Sequence, residues 1–319
     1  MGVFLVGLTV LSSNFFRKLL SKFAFMKKLL LLLLCLPLIG FGQLTMIPDA
    51  NFEQRLISFG YDNILDGTVL TAAIDTVTYL EVSYYGISDL TGIEDFTDLT
   101  ELFCTNNNLT SLDVSQNTAL IFLNLTDNQL TSLDVNQNTA LTQLWCDQNQ
   151  LTSIDVSQNT SLTFLRCDWN QLTSLDVSQN TDLIYLYCGW NQLTSLDVSQ
   201  STNLTDLNCN DNQLTILDIR NGNNTNMGSI QASNNLNLTC ISVDDFQFSL
   251  LNWTNPFWFG FDPQHYFSNN CSATAIEEHT TNKELLKITD LLGRETEEKN
   301  HLIFYIYDDG TVEKKIILE

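Results

Sequence analysis

Residues Leu109 to Gln129 read LTSLDVSQNTALIFLNLTDNQ, and the block returns with little change from Leu130, Leu151, Leu172 and Leu193. Its period is 21 residues, an 11-residue half of the form LTxLDVSxNTx followed by a 10-residue half of the form LxxLxCxxNQ. Both halves carry leucine at the first and fourth positions, a third apolar residue at the sixth and asparagine at the ninth. A coil of this length cannot cover its own apolar side, so successive copies must stack in register and share one continuous core. Each coil offers about six apolar side chains, worth ~1.5 to 3 kcal/mol apiece once a neighbour covers them, so stability is cooperative along the stack.

The LxxLxLxxN spacing, held in register from Leu99 to about Asn235, resembles the bacterial leucine-rich-repeat family in a form built of alternating half-repeats. The resemblance implies a leucine-rich-repeat solenoid, mostly β with short turns, and it constrains fold far more than function. Ahead of the array, Leu80, Val82, Ile87, Leu90, Ile93, Phe96 and Leu99 are spaced over a 22-residue coil as in internalin-like repeats. After it, the half beginning at Met227 keeps Ile230, Ala232 and Asn235 in pattern beyond a two-residue insertion between Asn221 and Asn226.

Both ends of such a stack need covers. Residues 43–98 are read as an N-terminal cap and first coil, opening with IPDANFEQRLISFG, in which Asp49 caps a short helix whose Phe52, Leu56 and Phe59 share one face. Residues 99–235 are the repeats. Residues 236–271 form an aromatic-rich C-terminal cap bracketed by Cys240 and Cys271, read as a disulfide that closes it. In an oxidising compartment a link closing about 30 residues is worth roughly 3 to 4 kcal/mol in the chain-entropy description.

The outer segments are read as addresses. From Met26, MKKLLLLLLCLPLIGFGQ has the basic, apolar and small-residue layout of a secretory signal, with cleavage expected near Gly42. Residues 1–42 are therefore leader and signal peptide. Because Met26 begins a complete signal by itself, an upstream start is preferred over an extra membrane segment for residues 1–25. Cys35 follows leucine where a lipid-acceptor cysteine wants a small neighbour, so lipidation is not expected. At the other end, a polar linker, 272–282, leads to residues 283–319, where IFYIY and TVEKKIIL flank Asp309-Gly310 as in a β-hairpin. DLLGRE and the terminal DDGTVEKKIILE resemble the C-terminal sorting domain of the bacterial type IX secretion system, which implies that secretion machinery as a partner and a secreted or cell-surface destination.

Charge excludes one large class of partner. Between Gln43 and Cys271 only Arg55, Arg166 and Arg220 oppose 26 acidic residues, and a body so acidic repels phosphate backbones. Nucleic acid is not expected. Acidity of this kind keeps a solvated surface soluble where salt screens its self-repulsion.

Stacking turns each repeat position into a ladder with rungs about 4.8 Å apart. Cys104, Cys146, Cys167, Cys188 and Cys209 occupy the sixth position, where Leu125 and the valines of the sister half also sit, so they read as buried core thiols. The ninth-position asparagines, Asn107, Asn128, Asn149, Asn170, Asn191 and Asn212 in one half and Asn117, Asn138, Asn159 and Asn180 in the other, are expected to satisfy backbone groups at the turns. Asp113, Asp134, Asp155, Asp176, Asp197 and Asp218 form an acidic ladder whose neighbours repel by about 0.8 kcal/mol even in bulk water. Hydrogen bonds from flanking residues such as Ser111, Ser115, Ser153 and Ser157 are the expected relief; calcium bridging is the alternative, and no other cofactor is implied.

The informative ladder is the one that varies. Outward positions of the other half carry Glu101 and Phe103, Phe122 and Asn124, Gln143 and Trp145, Phe164 and Arg166, Tyr185 and Tyr187, then Asp206 and Asn208, with Trp169 and Trp190 following at the turn. Aromatics beside hydrogen-bonding side chains are what protein interfaces and sugar-binding faces use. The candidate ligand-binding set is Phe103, Phe122, Trp145, Phe164, Arg166, Tyr185, Tyr187 and Trp190, with a protein or polysaccharide as ligand. Stacking that merely stiffens the sheet is the competing account. No catalytic constellation emerges, since His265, His279 and His301 all lie outside the array. The expected function is thus an exported binding protein with a cell-surface or adhesion role, not an enzyme; the alternative is a self-associating structural spacer without a specific ligand.

Overall fold

The computed structural model describes residues 42–271 and, beyond them, the backbone of three strands, Leu285–Thr289, Leu302–Tyr307 and Val312–Ile316. The chain divides into two units, Met1–Cys271 and Ser272–Glu319. In the second, the three strands pair antiparallel in sequence order, Ile306 standing opposite Val312. The signal peptide, the 272–282 linker and the Asp309-Gly310 turn lie outside the described residues.

The first unit is a solenoid. Three-residue strands, one per coil from Tyr79–Glu81 to Phe259–Gly260, pair in parallel into a nine-stranded sheet whose order follows the sequence. The register is fixed by the fourth-position leucines, Leu102, Leu123, Leu144, Leu165, Leu186 and Leu207 being consecutive Cα partners. These leucines, the five ladder cysteines and the sister-half valines are all essentially inaccessible and form one unbroken core. Burial pushes the thiols of Cys146 and Cys209 up, the latter to about 12, as small hydrophobes in a dry interior require.

The ninth-position asparagines bind one coil to the next. Asn149 Nδ2 donates to Cys146 O (3.2 Å) in its own coil and to Leu125 O (2.9 Å) in the coil before, while its Oδ1 accepts the amide of Leu130 (3.0 Å). Asn128, Asn170, Asn191 and Asn212 repeat the arrangement. In the sister half, Asn159 Nδ2 reaches Val135 O and Asn138 O across the coil boundary. Each asparagine therefore supplies backbone partners that irregular buried turns cannot find among themselves.

The two halves differ more than their sequences suggest. The serine- and aspartate-bearing half forms strands only at its C-terminal end, in a four-stranded sheet of Ser195–Asp197, Ile216–Asp218, Cys240–Ser242 and Tyr266–Ser268. Pairing begins where Arg220 clasps Asp218 through Nε and Nη2 and its charge also reaches Asp197. Upstream, the acidic rungs have no cation among the described ion pairs and form no strands. The expected relief by flanking serines holds on one side only: the amides of Ser115, Asn136, Ser157, Ser178 and Ser199 donate to the aspartate two residues earlier, and Ser111 and Ser153 take no such part. These bonds hold the Asp113, Asp155 and Asp176 carboxyls below the usual carboxylate range.

At the N-terminal end, helix Ala50–Phe59 starts at Asp49, whose Oδ1 accepts the amides of Asn51 and Phe52 while Oδ2 takes Ser88 of the first coil. Phe52 and Leu56 are buried, and Phe59, on the same side of the helix, lies beyond the core. It ends the helix, 37 % exposed, beneath the Arg55 guanidinium 4.0 Å from its ring centre. Glu53, next to the buried face, anchors the following loop by accepting the amides of Asp66, Gly67 and Thr68. At the other end, helix Phe246–Asn252 and the buried Trp253, packed on Phe259 and Phe267, close the core, and the Cys240–Cys271 disulfide ties the last coil down. Among the described residues, no helix is long and apolar enough to cross a membrane.

Two stability tests follow from these contacts. Asn149→Ala strands three backbone groups, each costing about 1 to 3 kcal/mol when buried without a partner, so it should lower the urea midpoint markedly. Asp155→Asn, which keeps the turn acceptor on an exposed rung, should leave the midpoint almost unchanged. Reducing the Cys240–Cys271 disulfide, which closes a separation of 31 residues, should destabilise the unit by about 3 to 4 kcal/mol in the loop-entropy description, measured by urea unfolding with and without reductant.

Candidate functional site: the variable face of the long sheet

The third and fifth positions of the 10-residue half alternate with the core leucines, so the pleat turns their side chains away from the core. All the candidate residues except Trp190 lie here, and the sheet brings them together as a continuous chain of rings. Tyr79 meets Phe103 (5.4 Å between centroids), Phe103 meets Phe122 (4.8 Å), Phe122 meets Trp145 (5.1 Å) and Trp145 meets Phe164 (5.5 Å). Phe164 then contacts both Tyr185 and Tyr187. The chain zigzags between third and fifth positions of successive coils, mostly edge to face, the favourable geometry for ring quadrupoles. Consequently the rings are not the fully outward row that alternation predicts: most are half-buried against one another, Tyr185 is 38 % exposed, and Asn124 is buried beside Phe103 and Trp145.

Arg166 is the single cation on this face among the described residues. Its Nη2 lies 3.5 Å from Asp147 Oδ2 and its Nε 3.5 Å from Asp168 Oδ1, and its guanidinium carbon stands 6.0 Å from the centre of the Trp145 ring. Asp147 is fully buried, with Oδ1 accepting the Thr126 hydroxyl (2.8 Å), and Asp168 is nearly so. Two acids beneath one half-exposed arginine leave the cluster with a net negative charge. Burial pushes the Asp168 carboxyl up to about 6, Arg166 works against that rise, and the Asp147 charge adds to it.

The sequence reading passed over Asp147 and Asp168. They stand at the seventh position, where other coils carry Thr105, Thr126, Gly189 and Asn210, and carboxylates on adjacent rungs beside the lone arginine were the available signal.

Trp169 and Trp190 sit apart from the strand, at the eighth position. Here every coil turns through left-handed backbone, occupied by Tyr84, Asn106, Asp127, Gln148, Asp211 and Asn234 elsewhere. Asparagine and aspartate tolerate that conformation; tryptophan pays for it, at roughly 1 to 2 kcal/mol per residue. The φ angles are 55° and 51°, and the two indoles stack nearly parallel, 4.7 Å apart with 7° between planes. Trp169 remains 50 % exposed. Among the described residues no group of three or more histidine, cysteine, aspartate or glutamate side chains converges as a metal centre would.

A raised carboxyl in the folded state binds its proton more tightly than in the unfolded chain, so its contribution to stability is largest below the unfolded value and declines as pH rises through about 6. Moving from pH 7 to pH 5 should therefore raise the melting temperature of the unaltered chain by more than that of Asp168→Asn, followed by circular dichroism.

No family model matches the chain. A 71-residue stretch is 42 % identical to Internalin J of Listeria monocytogenes serotype 4b (strain F2365), covering 22 % of this chain and 8 % of that protein, so the chain spans a small part of its curated relative. Among solved structures, the functional domain of Internalin J from Listeria monocytogenes, described as including a cysteine ladder, superposes with a TM-score of 0.50 at 36 % identity over 63 % of this chain and 52 % of that one. Internalin C2 from Listeria monocytogenes superposes with a TM-score of 0.54 at 21 % identity, over 70 % of this chain and 95 % of that one. The chain accordingly has an internalin-like leucine-rich-repeat fold, with a buried cysteine ladder of its own at Cys104, Cys146, Cys167, Cys188 and Cys209.

Proposed function

We propose that the chain is an exported, non-catalytic binding protein that holds a protein or polysaccharide on the variable face centred on Trp145, Phe164, Arg166, Tyr185 and Tyr187, in a cell-surface or adhesion role. The observation that carries this reading is the contrast between ladders. Core, asparagine and aspartate positions repeat almost without change, whereas the third, fifth and seventh positions of one half differ rung by rung. A position that only maintains the scaffold has no reason to alternate phenylalanine, glutamine, tryptophan and arginine. The fold's similarity to internalins supports a binding role, and the export signal with the sorting-domain resemblance supports delivery to the cell exterior.

One observation favours the competing account, a structural spacer that self-associates: the zigzag of rings already explains the aromatics as stiffeners of the sheet. The two readings separate on the variant Trp145→Ala with Tyr187→Ala. In a screen against glycans and cell-surface protein extracts, run with and without calcium, the binding reading expects the fold retained by circular dichroism and a specific ligand lost. Concentration-dependent assembly in light scattering, indifferent to both substitutions and with no ligand found, would sink it. An unchanged melting temperature on chelation would count against calcium at the aspartate ladder.

A further inference from the structure

The stacked Trp169–Trp190 pair is the least economical feature of the solenoid surface. Both residues occupy left-handed backbone that asparagine or aspartate fills in four of the other rungs, Tyr84 and Gln148 being the exceptions, and half of Trp169 is left in solvent. Strain of this kind persists where something other than folding holds it. The centroid separation of 4.7 Å matches the rung spacing, so the stack runs along the ladder, in which Gln148 is the rung before and Asp211 the rung after.

An indole face carries negative electrostatic potential and attracts cations. The surroundings have the same sign. Asp211 follows Trp190 on the ladder, with one oxygen engaged by Asn234, and Asp127 stands two rungs before Trp169, with one oxygen engaged by Asn106. Asp147 and Asp168, buried on the adjoining seventh-position ladder and paired with Arg166, add to the negative field from below the surface. The chain itself shows the preferred occupant of such a setting: Arg55 lies over the rings of Phe59 and Tyr85, and Arg166 stands near Trp145. Residues Gln43 to Cys271 offer only three arginines and no lysine against 26 acids, so the complementary charge comes from beyond this unit.

We infer that the Trp169–Trp190 turn is a docking subsite for a cationic side chain, arginine or lysine, presented by a protein partner, stacked on the exposed indole surface beside the Asp211 carboxylate. This rests on the binding reading of the adjacent face and names the partner's chemistry.

The test uses the full chain and a synthetic peptide of four arginines spaced by glycine and serine, titrated at physiological salt with indole fluorescence and calorimetry as readouts. Trp169→Asn with Trp190→Asn keeps all charges and suits the left-handed backbone. It should weaken peptide binding by about tenfold while leaving the melting temperature unchanged or higher. Asp113→Asn with Asp134→Asn and Asp155→Asn, which removes charge from the opposite ladder, should change affinity by less than about twofold. Equal losses in the two variants would reduce the peptide's attraction to bulk acidity and overturn the subsite. So would stacking of a neutral oligosaccharide, cellohexaose or chitohexaose, on the tryptophans with the peptide unbound. If a surface ligand depends on Trp145 and Tyr187 but not on Trp169 and Trp190, the subsite falls while the binding face stands; if the peptide depends on the tryptophan pair and the Trp145 and Tyr187 variant retains every ligand, the subsite stands without the face.

Discussion

Everything in the solenoid depends on one side-chain amide per half-coil. A stack of tight turns buries backbone carbonyls that have no strand partner, and without compensation each would cost a large fraction of what a leucine contributes. In the 10-residue half the ninth-position asparagine removes the deficit in both directions at once, donating to its own coil and to the one before while accepting an amide with its oxygen, and in the sister half Asn117, Asn138, Asn159 and Asn180 each donate to two carbonyls of the preceding coil. Because its bonds cross the coil boundary, it also sets the register in which leucine falls on leucine. Core packing and backbone satisfaction are thus a single condition, met or lost together.

That arrangement explains why the outside of the long sheet is free to differ. Once asparagine and leucine have fixed the coil, third- and fifth-position side chains contribute little to specifying it, and chemistry can be written there without endangering the fold. Ring-to-ring contacts along the face stiffen the surface and present it as a preorganised whole, which reduces the entropy a ligand must cover. The Arg166, Asp147 and Asp168 cluster interrupts the rings with a fixed polar centre, and the tryptophan pair lies one position further round the turn.

The repeat architecture, the helix cap at Asp49, the asparagine and cysteine ladders and the Cys240–Cys271 closure were legible in the sequence, because each is a residue type whose chemistry leaves few alternatives at its spacing. That Phe59 is exposed while its face-mates Phe52 and Leu56 are buried was not legible, since periodicity gives the side of a helix and not where the core beneath it ends. Where the serine and aspartate half forms strands, only from Ser195–Asp197 onward, is a property of neighbouring coils that no single repeat displays. Asp147 and Asp168 escaped notice because whether a seventh-position carboxylate is buried depends on its neighbours in space: Arg166 reaches Asp147 from the next coil and Asp168 from its own.

The cross-boundary asparagine bonds also make length a free variable. Removing or adding one 21-residue period returns every asparagine to an equivalent partner and every leucine to an equivalent neighbour, so the body can shorten or lengthen in steps of about 4.8 Å with its caps untouched. What such an exchange alters is the order of the letters on the variable face. A molecule built this way can trade one rung of its surface for another while its interior stays the same, which makes the period a unit of inheritance as well as of structure.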